Sequence, residues 1–497
     1  MKNLYRNLIL GLTSTLIIAS CSKQIDKNPY VGIGLDQSFE TMNDAKAWNA
    51  GLYAHLRGRV NGIYTFVRDV QADQLNASMD YGNNYGNPHR WGSSFLADDY
   101  ELRDIWQNTY SSLKNVNAII TGYPNITPAN QQQTDTLKRY LADAHFMRAF
   151  YYSRLMEYYS DAYEAASATT KLGVPLVLVY NPSEKPARAT QKEVFDQILL
   201  DINTAKSLTI GLPGAPGSTR ITRDAILALE ARVKLTLKDY PGAKAAADEL
   251  INSNRYQLYT TAAELKNYWH IDTDREDILK VFVNNTNETG LANSIYWGFQ
   301  PATGKYRPTF FPSQWVVDFY DNSDFRKAIF FKQVTADVQG LDYPNTWVVN
   351  KYPGNPALFT TANTNYQHVP KVFRIAEMYL ISAEADVATN PANALTTLNK
   401  LRQARGLAAS TATGTANVLA EIKAERFKEL AFEGFRLYDL KRWHEGFTRR
   451  NPQNTNMLTP GSNFTTLSIA ADDNKFTWGI PTNDVTINPN IKQNTGW

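Results

Sequence analysis

Cysteine is almost absent from this chain. Cys21 is the only cysteine among 497 residues, so no disulfide can form within the chain and burial must hold the fold together. Histidine is scarce as well, because the six histidines are scattered and form no His-Glu-x-x-His pair of the kind that binds zinc. A Gly-x-Ser-x-Gly nucleophile elbow is also missing. The sequence therefore predicts no catalytic residue, no cofactor and no metal site.

An excess of charge of one sign is missing too. The formal net charge is +3 and charged residues make up 20% of the chain, which gives none of the basic field that nucleic-acid binding requires. Beyond the first residues of the chain, no apolar run approaches the ~20 residues that a membrane-spanning helix needs. Aromatic residues, in contrast, are plentiful at 12%. Tyrosine and tryptophan suit wet binding surfaces because they combine an apolar face with a polar edge.

The beginning of the chain has the layout of a secretory signal. Lys2 and Arg6 supply a positive start, an apolar stretch covers 8–19, and small residues precede Cys21. This stretch is too short to span a bilayer, which takes ~20 apolar residues. It therefore indicates an export segment that is removed, and not a transmembrane anchor.

The four residues Ile-Ala-Ser-Cys that end at Cys21 resemble the bacterial lipobox. This resemblance implies that the cysteine is lipidated and becomes the first residue of the mature chain. An ordinary signal peptide with an incidental cysteine is the alternative. The domain prediction is a signal peptide over 1–20, a lipidated tether over 21–36 and one helical unit over 37–497.

Helical periodicity dominates the chain after the tether and predicts a mostly α fold with few short strands. Paired helices joined by small breaks predict a scaffold of tetratricopeptide-type hairpins that follow no strict tandem repeat. The predicted hairpins cover about 134–208, 223–253 and 372–406. Thr190 begins a capping box, Gly122 follows a long helix where a C′ residue is expected, and Pro391 is expected near the first position of the helix after the break at Asn390.

Three long insertions interrupt the helical pattern, at about 77–94, 284–309 and 339–365. Each is rich in glycine, asparagine or proline and holds several aromatic residues, a composition that predicts loops with no regular element. Loops of this length inside a compact domain are usually functional or disordered. Because so many aromatic residues argue against disorder, we expect the insertions to carry a ligand site.

A sugar ligand would explain this composition. The apolar C–H face of a pyranose ring can stack on an aromatic ring, while its hydroxyl groups need polar side chains to replace lost water. The predicted stacking rings are Tyr81, Tyr85, Trp91, Tyr296, Trp297 and Tyr306, and the predicted hydrogen-bonding partners are Asn83, Asn84 and Arg307. Packing within the loops is the alternative for each ring.

Several segments resemble those of the SusD/RagB family, in the family's order and over nearly the whole chain. The strongest are 375–385, IAEMYLISAEA, and 425–443, ERFKELAFEGFRLYDLKRW. The closing segments 479–483 and 488–494 and the segment 25–29 after the cysteine also fit. The resemblance implies a helical lipoprotein of the Bacteroidetes outer membrane with tetratricopeptide-like units.

The same resemblance implies a function in binding and delivery, without bond breaking. Family members sit as a lid over a SusC-type TonB-dependent porin and capture glycans, or in some members peptides, for import. We therefore expect a cell-surface glycan-binding protein that is not an enzyme. A peptide ligand, a glycoside hydrolase and a helical scaffold that binds only protein remain the alternatives. Only Asp26 is acidic near Cys21, whereas surface-export signals of the group are more acidic, so a periplasmic orientation also stays open.

Two groups of charged residues are open to both functional and structural interpretations. The acidic residues within 272–277 could bind calcium, but the glycine and distal glutamate of a calcium loop are missing, so a solvated acidic turn is favoured. Glu429, Glu433 and Arg436 recur at helical spacing, which favours structural ion pairs.

Lipidation of Cys21 is directly testable. In cells fed a fatty-acid analogue, we expect the protein to incorporate label and to sediment with membranes. The substitution Cys21→Ser removes the thiol and should abolish both. Labelling that persists in Cys21→Ser would contradict the lipobox interpretation.

Overall fold

The computed structural model describes residues 36–181, 183–209, 211–284, 294–360 and 366–497. The predicted signal peptide, Cys21 and almost all of the predicted tether lie outside these residues, as do parts of two predicted insertions. None of the helices in the described ranges is both long and apolar enough to cross a membrane.

Helices form the framework, as the periodicity predicts. The helices of the described residues are α1 Met42–Arg57, α2 Ile63–Gln71, α3 Gly86–Arg90, α4 Tyr100–Gly122, α5 Gln131–Tyr159, α6 Gln191–Leu208, α7 Arg223–Thr236, α8 Tyr240–Asn252, α9 Ala262–His270, α10 Ser294–Trp297, α11 Gln314–Asp318, α12 Phe325–Phe330, α13 Ile375–Asp386, α14 Pro391–Ala404, α15 Thr415–Glu429, α16 Arg436–Trp443, α17 Ser462–Thr465 and α18 Thr482–Ile487. The mostly α fold class is confirmed.

The strands are short and form small sheets. They are β1 Leu75–Ala77, β2 Leu172–Pro175, β3 Arg188–Thr190, β4 Asp277–Lys280, β5 Phe299–Gln300, β6 Lys305–Tyr306, β7 Phe310–Pro312, β8 Phe331–Val338, β9 Leu341–Val349, β10 Lys371–Arg374, β11 Phe447–Thr448 and β12 Ser468–Ile469. Four two-stranded pairs, β1–β7, β10–β4, β11–β12 and β2–β3, accompany one four-stranded sheet in the order β5-β6-β8-β9.

The helices pack as pairs at the places where the sequence predicts hairpins. Helix α5 packs on α6, α7 on α8, and α13 on α14, while α8 and α13 join the second and third pairs. Ala243 and Ala247 are fully buried on α8, so small side chains let the neighbouring helices approach closely. The result is one continuous hydrophobic core along the stacked helices, with a smaller cluster between α13, α14 and α15.

Local capping signals are accurate at two of three predicted positions. Thr190 accepts a hydrogen bond from the backbone N–H of Glu193, whose carboxylate accepts the N–H of Thr190 in return, and Pro391 is the first residue of α14. The prediction for Gly122 is wrong, because this residue ends α4 with a helical φ of −85°. A Cβ on Gly122 would lie 2.3 Å from the Phe39 ring, so close packing requires the glycine there.

The prediction that 339–365 is a loop is wrong over β9. This strand pairs antiparallel with β8 from Phe331 opposite Val349 to Val338 opposite Leu341. The register shifts where Thr346 faces Val334 and Tyr343 faces Ala336. This shift is a β-bulge that accommodates Pro344. Because β9 is the edge strand of the sheet, the missing N–H of the proline interrupts no hydrogen bonds to a further strand. The insertion at 77–94 likewise contains the short helix α3.

A cluster of ionised side chains is buried where the helical pairs meet the small sheets. We call it the buried ion cluster; its members are Glu276, Asp324, Arg326, Lys351, Arg374, Arg405, Glu425, Glu429 and Glu433. Its central residue, Glu429 at the end of α15, accepts hydrogen bonds from Arg374, Arg405 and Arg326 at 2.7, 3.0 and 3.0 Å. The structural interpretation of Glu429 is therefore confirmed.

Charge compensation makes this burial possible. Burial raises the pKa of Glu429, but the guanidinium groups of Arg405 and Arg374 lower it well below its usual value. Arg405 also donates two hydrogen bonds of 2.9 Å to Glu276. Removal of one partner would leave the opposite charge buried and unpaired, which costs far more than the pair contributes.

The interpretation of 272–277 as a solvated acidic turn is wrong for three of its four acids. Asp272, Glu276 and Asp277 are buried, and only Asp274 is exposed. Asp272 binds Lys371 at 3.1 Å, Glu276 binds Arg405 and Asp277 accepts from a tyrosine hydroxyl. The carboxylates thus point to separate partners and do not surround a common point.

The buried ion cluster gives a stability prediction. Arg405→Met keeps an apolar stem but removes the guanidinium group that Glu276 and Glu429 share, so we expect the free energy of unfolding to fall by ~3–5 kcal/mol. Urea unfolding followed by circular dichroism measures the change. Lys192→Met, which breaks an exposed pair with Asp196, is the control and should leave the urea midpoint unchanged. Equal small effects of the two substitutions would contradict the assigned role.

Candidate functional site

The three predicted insertions meet on one side of the molecule. The N–H of Ser78 donates to the carbonyl of Thr309 at 3.0 Å, and the N–H of Gln339 donates to Asp80 at 2.8 Å. We call the surface that results the loop face; its side chains are Asp80, Tyr81, Asn83, Asn84, Tyr100, Arg307 and Gln339. None of them is buried.

Five of the six predicted stacking rings are buried. Tyr85, Trp91, Tyr296, Trp297 and Tyr306 are between 0% and 8% exposed. The prediction that they form an open stacking platform is therefore wrong. They pack inside the protein, and Tyr81 alone among the six is partly exposed.

Internal hydrogen bonds explain why these rings turn inward. The indole N–H of Trp91 donates to the carbonyl of Gln71 at 2.7 Å, and that of Trp297 donates to the carbonyl of Val349 at 2.8 Å. Because both polar edges are satisfied inside, full burial of the large apolar faces is favourable. Trp297 also packs edge-on against Tyr306, with ring centroids 5.2 Å apart.

Tyr296 is buried against a carboxylate. Its hydroxyl donates to Asp69 Oδ2 at 3.3 Å, and the N–H of Gly434 donates to Asp69 Oδ1 at 3.0 Å. Burial raises the pKa of Asp69 to about 7, although both hydrogen bonds and the neighbouring Arg68 lower it. Asp69 therefore holds a proton more tightly in the folded protein than in the unfolded chain.

The exposed part of the first insertion is organised by one guanidinium group. Arg90 donates to the hydroxyl of Tyr81 at 2.7 Å, to Asn83 Oδ1 at 2.7 Å and to Asn87 Oδ1 at 2.5 Å. Asn83 has a φ of +59°, a conformation that asparagine tolerates better than most residues. Arg90 thus fixes the orientation of the amide of Asn83 and of the ring of Tyr81.

A second tyrosine completes this surface. Tyr100, the first residue of α4, is 42% exposed, and its hydroxyl donates to Asn84 Oδ1 at 3.0 Å. The amide oxygens of Asn83 and Asn84 are therefore occupied. Their amide nitrogens have no partner among the described residues, so both N–H₂ groups are free donors next to two partly exposed rings.

Arg307 lies at the edge of the loop face with an outward side chain. It donates to Asp337 Oδ2 at 2.7 Å, and this hydrogen bond lowers the pKa of Asp337. The structure thus brings Tyr81, Asn83, Asn84 and Arg307 to one surface, and their contact with a ligand stays a prediction. Sequence reasoning missed Tyr100 and Arg90, because nothing local distinguishes them from ordinary helix residues.

Metal ligation has no support in the described part of the chain. There, no group of three or more histidine, cysteine, aspartate or glutamate side chains could hold an ion. The chemistry of the loop face is hydrogen bonding and ring stacking.

The pKa of Asp69 gives a testable pH dependence. Since the folded state binds the proton more tightly, the carboxyl stabilises the fold below pH 4 and this contribution is lost as the pH rises to about 7. Asparagine does not titrate, so we expect the free energy of unfolding of Asp69→Asn to be free of this pH dependence. The difference between the variant and the wild type should therefore shift in favour of the variant by up to about 4 kcal/mol between pH 4 and pH 7. Urea titrations from pH 4 to pH 8 measure it. A difference that is independent of pH would contradict the assignment.

Two family models match two successive parts of the chain. A family model described as "SusD family" matches residues 261–497, and one described as "Starch-binding associating with outer membrane" matches residues 38–235. The SusD-like protein P38 of Formosa agariphila is 25% identical over 500 residues, which cover 90% of this chain and 92% of that protein.

Solved structures share the fold. A SusD superfamily protein from Bacteroides thetaiotaomicron has a TM-score of 0.77 at 24% identity and covers 91% of this chain and 99% of its own. A SusD-like carbohydrate binding protein from Bacteroides vulgatus has a TM-score of 0.69 at 19% identity, with coverage of 91% and 98%. These structures show the fold, and the two family models, which match residues 38–235 and 261–497, show that the chain belongs to the SusD/RagB family.

Proposed function

We propose that this protein binds a glycan on the loop face and delivers it, without catalysis, to a SusC-type TonB-dependent transporter in the outer membrane. The description of the family model over residues 38–235 names starch binding and association with the outer membrane. A relative of the same fold is a carbohydrate binding protein. Both support a glycan as the ligand class.

The observation that carries this proposal is the pair of free amide donors between two partly exposed rings. Tyr81 and Tyr100 offer faces to the C–H side of a sugar ring, while Asn83 and Asn84 offer N–H₂ groups to its hydroxyls. Arg90 orders Tyr81 and Asn83 before any ligand arrives, which lowers the entropy lost on binding.

The carboxylates of the loop face favour a function in binding over one in hydrolysis. A glycosidase needs two carboxyl groups about 5–9 Å apart, one of them with a raised pKa so that it can act as an acid. Asp80 accepts from Gln339, and the hydrogen bond from Arg307 lowers the pKa of the neighbouring Asp337. Both groups are engaged as acceptors, which supports capture.

A lipid anchor on Cys21 would place the loop face close to the transporter. Anchoring two partners in one membrane raises their effective concentration without new contacts. Weak binding by a few rings and amides is then sufficient for uptake. We propose that the anchored protein faces outward, where glycans arrive.

Substitutions that remove only the amide donors test the site. Asn83→Asp and Asn84→Asp keep the oxygens that Arg90 and Tyr100 bind but remove the N–H₂ groups, so we expect a neutral glycan to bind 5- to 100-fold more weakly, as each lost hydrogen bond costs ~1–3 kcal/mol. Tyr100→Ala should weaken binding through lost stacking. Retention on starch and other neutral polysaccharides in affinity gels measures both.

Matched controls come from the same chain. Asn254 is exposed and has a φ of +53°, like Asn83, and Tyr180 is 44% exposed, like Tyr100. Asn254→Asp and Tyr180→Ala should retain full binding. Reducing ends released from the same polysaccharides would favour a hydrolase, and retention on a peptide array alone would favour a peptide ligand; either result overturns the proposal.

A further inference from the structure

A second concave surface shares no residue with the loop face. We call it the aromatic groove, with a volume of about 580 Å³. It lies between α11, α15 and the segment that carries β11. The side chains that matter to its chemistry are Trp315, Phe319, Phe427, Lys423, Arg436 and Arg450.

Three aromatic rings contact one another in this groove at tilted or edge-to-face angles. Trp315 and Phe319 each contact Phe427, at centroid distances of 5.2 and 5.4 Å. Phe427 is buried, but Trp315 is partly exposed and Phe319 is 38% exposed. Adjacent exposed rings in a concave surface are unusual in a protein that buries most of its aromatic residues, and such patches mark binding sites.

Cations surround the rings. Arg436 lies 5.0 Å from the centroid of Phe427 and is neutralised by two hydrogen bonds to Asp73 of 3.0 and 2.8 Å. Lys423 pairs with Glu445 at 2.5 Å. Asp73 and Glu445 thus neutralise two of the three cations that line the groove, and one positive charge remains.

Arg450 is the cation without a carboxylate. Its guanidinium lies 4.8 Å from the centroid of Trp315, its side chain is exposed, and it has no hydrogen bond or ion pair among the residues that the structure describes. A guanidinium group offers a planar fork of donors that matches carboxylate or sulfate. The cation next to the partly exposed indole is therefore available to an anion that arrives with a ligand.

From this arrangement we propose that the aromatic groove is a second saccharide site, specific for sugars that carry a carboxylate or sulfate group. The sugar ring stacks on Phe319 beside the indole of Trp315, and its anionic group binds Arg450, whose guanidinium lies over that indole. This inference rests on the proposed glycan function and adds a site and a ligand charge to it. The planes of Trp315 and Phe319 are 64° apart at a centroid distance of 6.3 Å, so the groove offers one ring face and one ring edge to a sugar.

Charge distinguishes the groove from the loop face experimentally. The soluble chain without residues 1–21 is run in affinity gels that contain polygalacturonate, carrageenan, starch or poly-glutamate. We expect retention on one or both of the acidic polysaccharides, and we expect salt to weaken it because exposed charges are screened.

Arg450→Gln should reduce this retention at least fivefold and leave retention on starch unchanged. Phe319→Ala, which removes an exposed ring, should weaken acidic-glycan retention without changing its salt dependence.

The control is Arg139→Gln, since Arg139 is also exposed and has no ion pair among the described residues. An equal loss in Arg139→Gln and Arg450→Gln would indicate general charge attraction and overturn the site. Equal retention on poly-glutamate would overturn the sugar assignment. If starch retention depends on Asn83 while Arg450→Gln changes nothing, the second site is wrong and the glycan function stands; if no polysaccharide is retained, both fail.

Discussion

The buried ion cluster is the constraint on which the arrangement of this protein depends. Glu429, at the end of α15, is shared by guanidinium groups from three other segments of the chain. Lys351, just after β9, donates to Glu433 at 2.7 Å and to the carbonyl of Ala431 at 2.8 Å. Because buried charges tolerate little misplacement, these contacts hold the edge of the four-stranded sheet, and with it part of the loop face, in a single position on the helical scaffold.

The predicted insertions combine buried aromatic rings with the polar surface of the loop face. The buried rings supply rigidity, because their polar edges are bonded to backbone carbonyls such as those of Gln71 and Val349. The outer layer supplies chemistry through Asn83, Asn84 and the partly exposed tyrosines. A capture protein needs both properties, since a site that is ordered in advance loses less entropy on binding. The aromatic groove has the reverse arrangement, with exposed rings and a free cation.

Local sequence signals predicted the parts of the structure that local physics decides. Helical periodicity, the capping box at Thr190 and the helix start at Pro391 depend on neighbours within one turn. Strand β9 was missed because its proline disfavours a strand, and only the bulge opposite β8 accommodates it. The rings of the insertions were predicted as exposed because nothing in their own sequence reveals carbonyl partners elsewhere in the chain. The burial of Glu276 depends in the same way on Arg405, which is distant in sequence.

The packing of Phe39 over Gly122 ties the start of the described chain to the helical body. The Phe39 ring also stacks on Trp48 at a centroid distance of 5.0 Å, so one ring bridges α1 and the end of α4. Because a Cβ on Gly122 would lie 2.3 Å from the Phe39 ring, any side chain at residue 122 would displace this ring. The seating of α1 against α4 thus depends on the absence of a single methyl group.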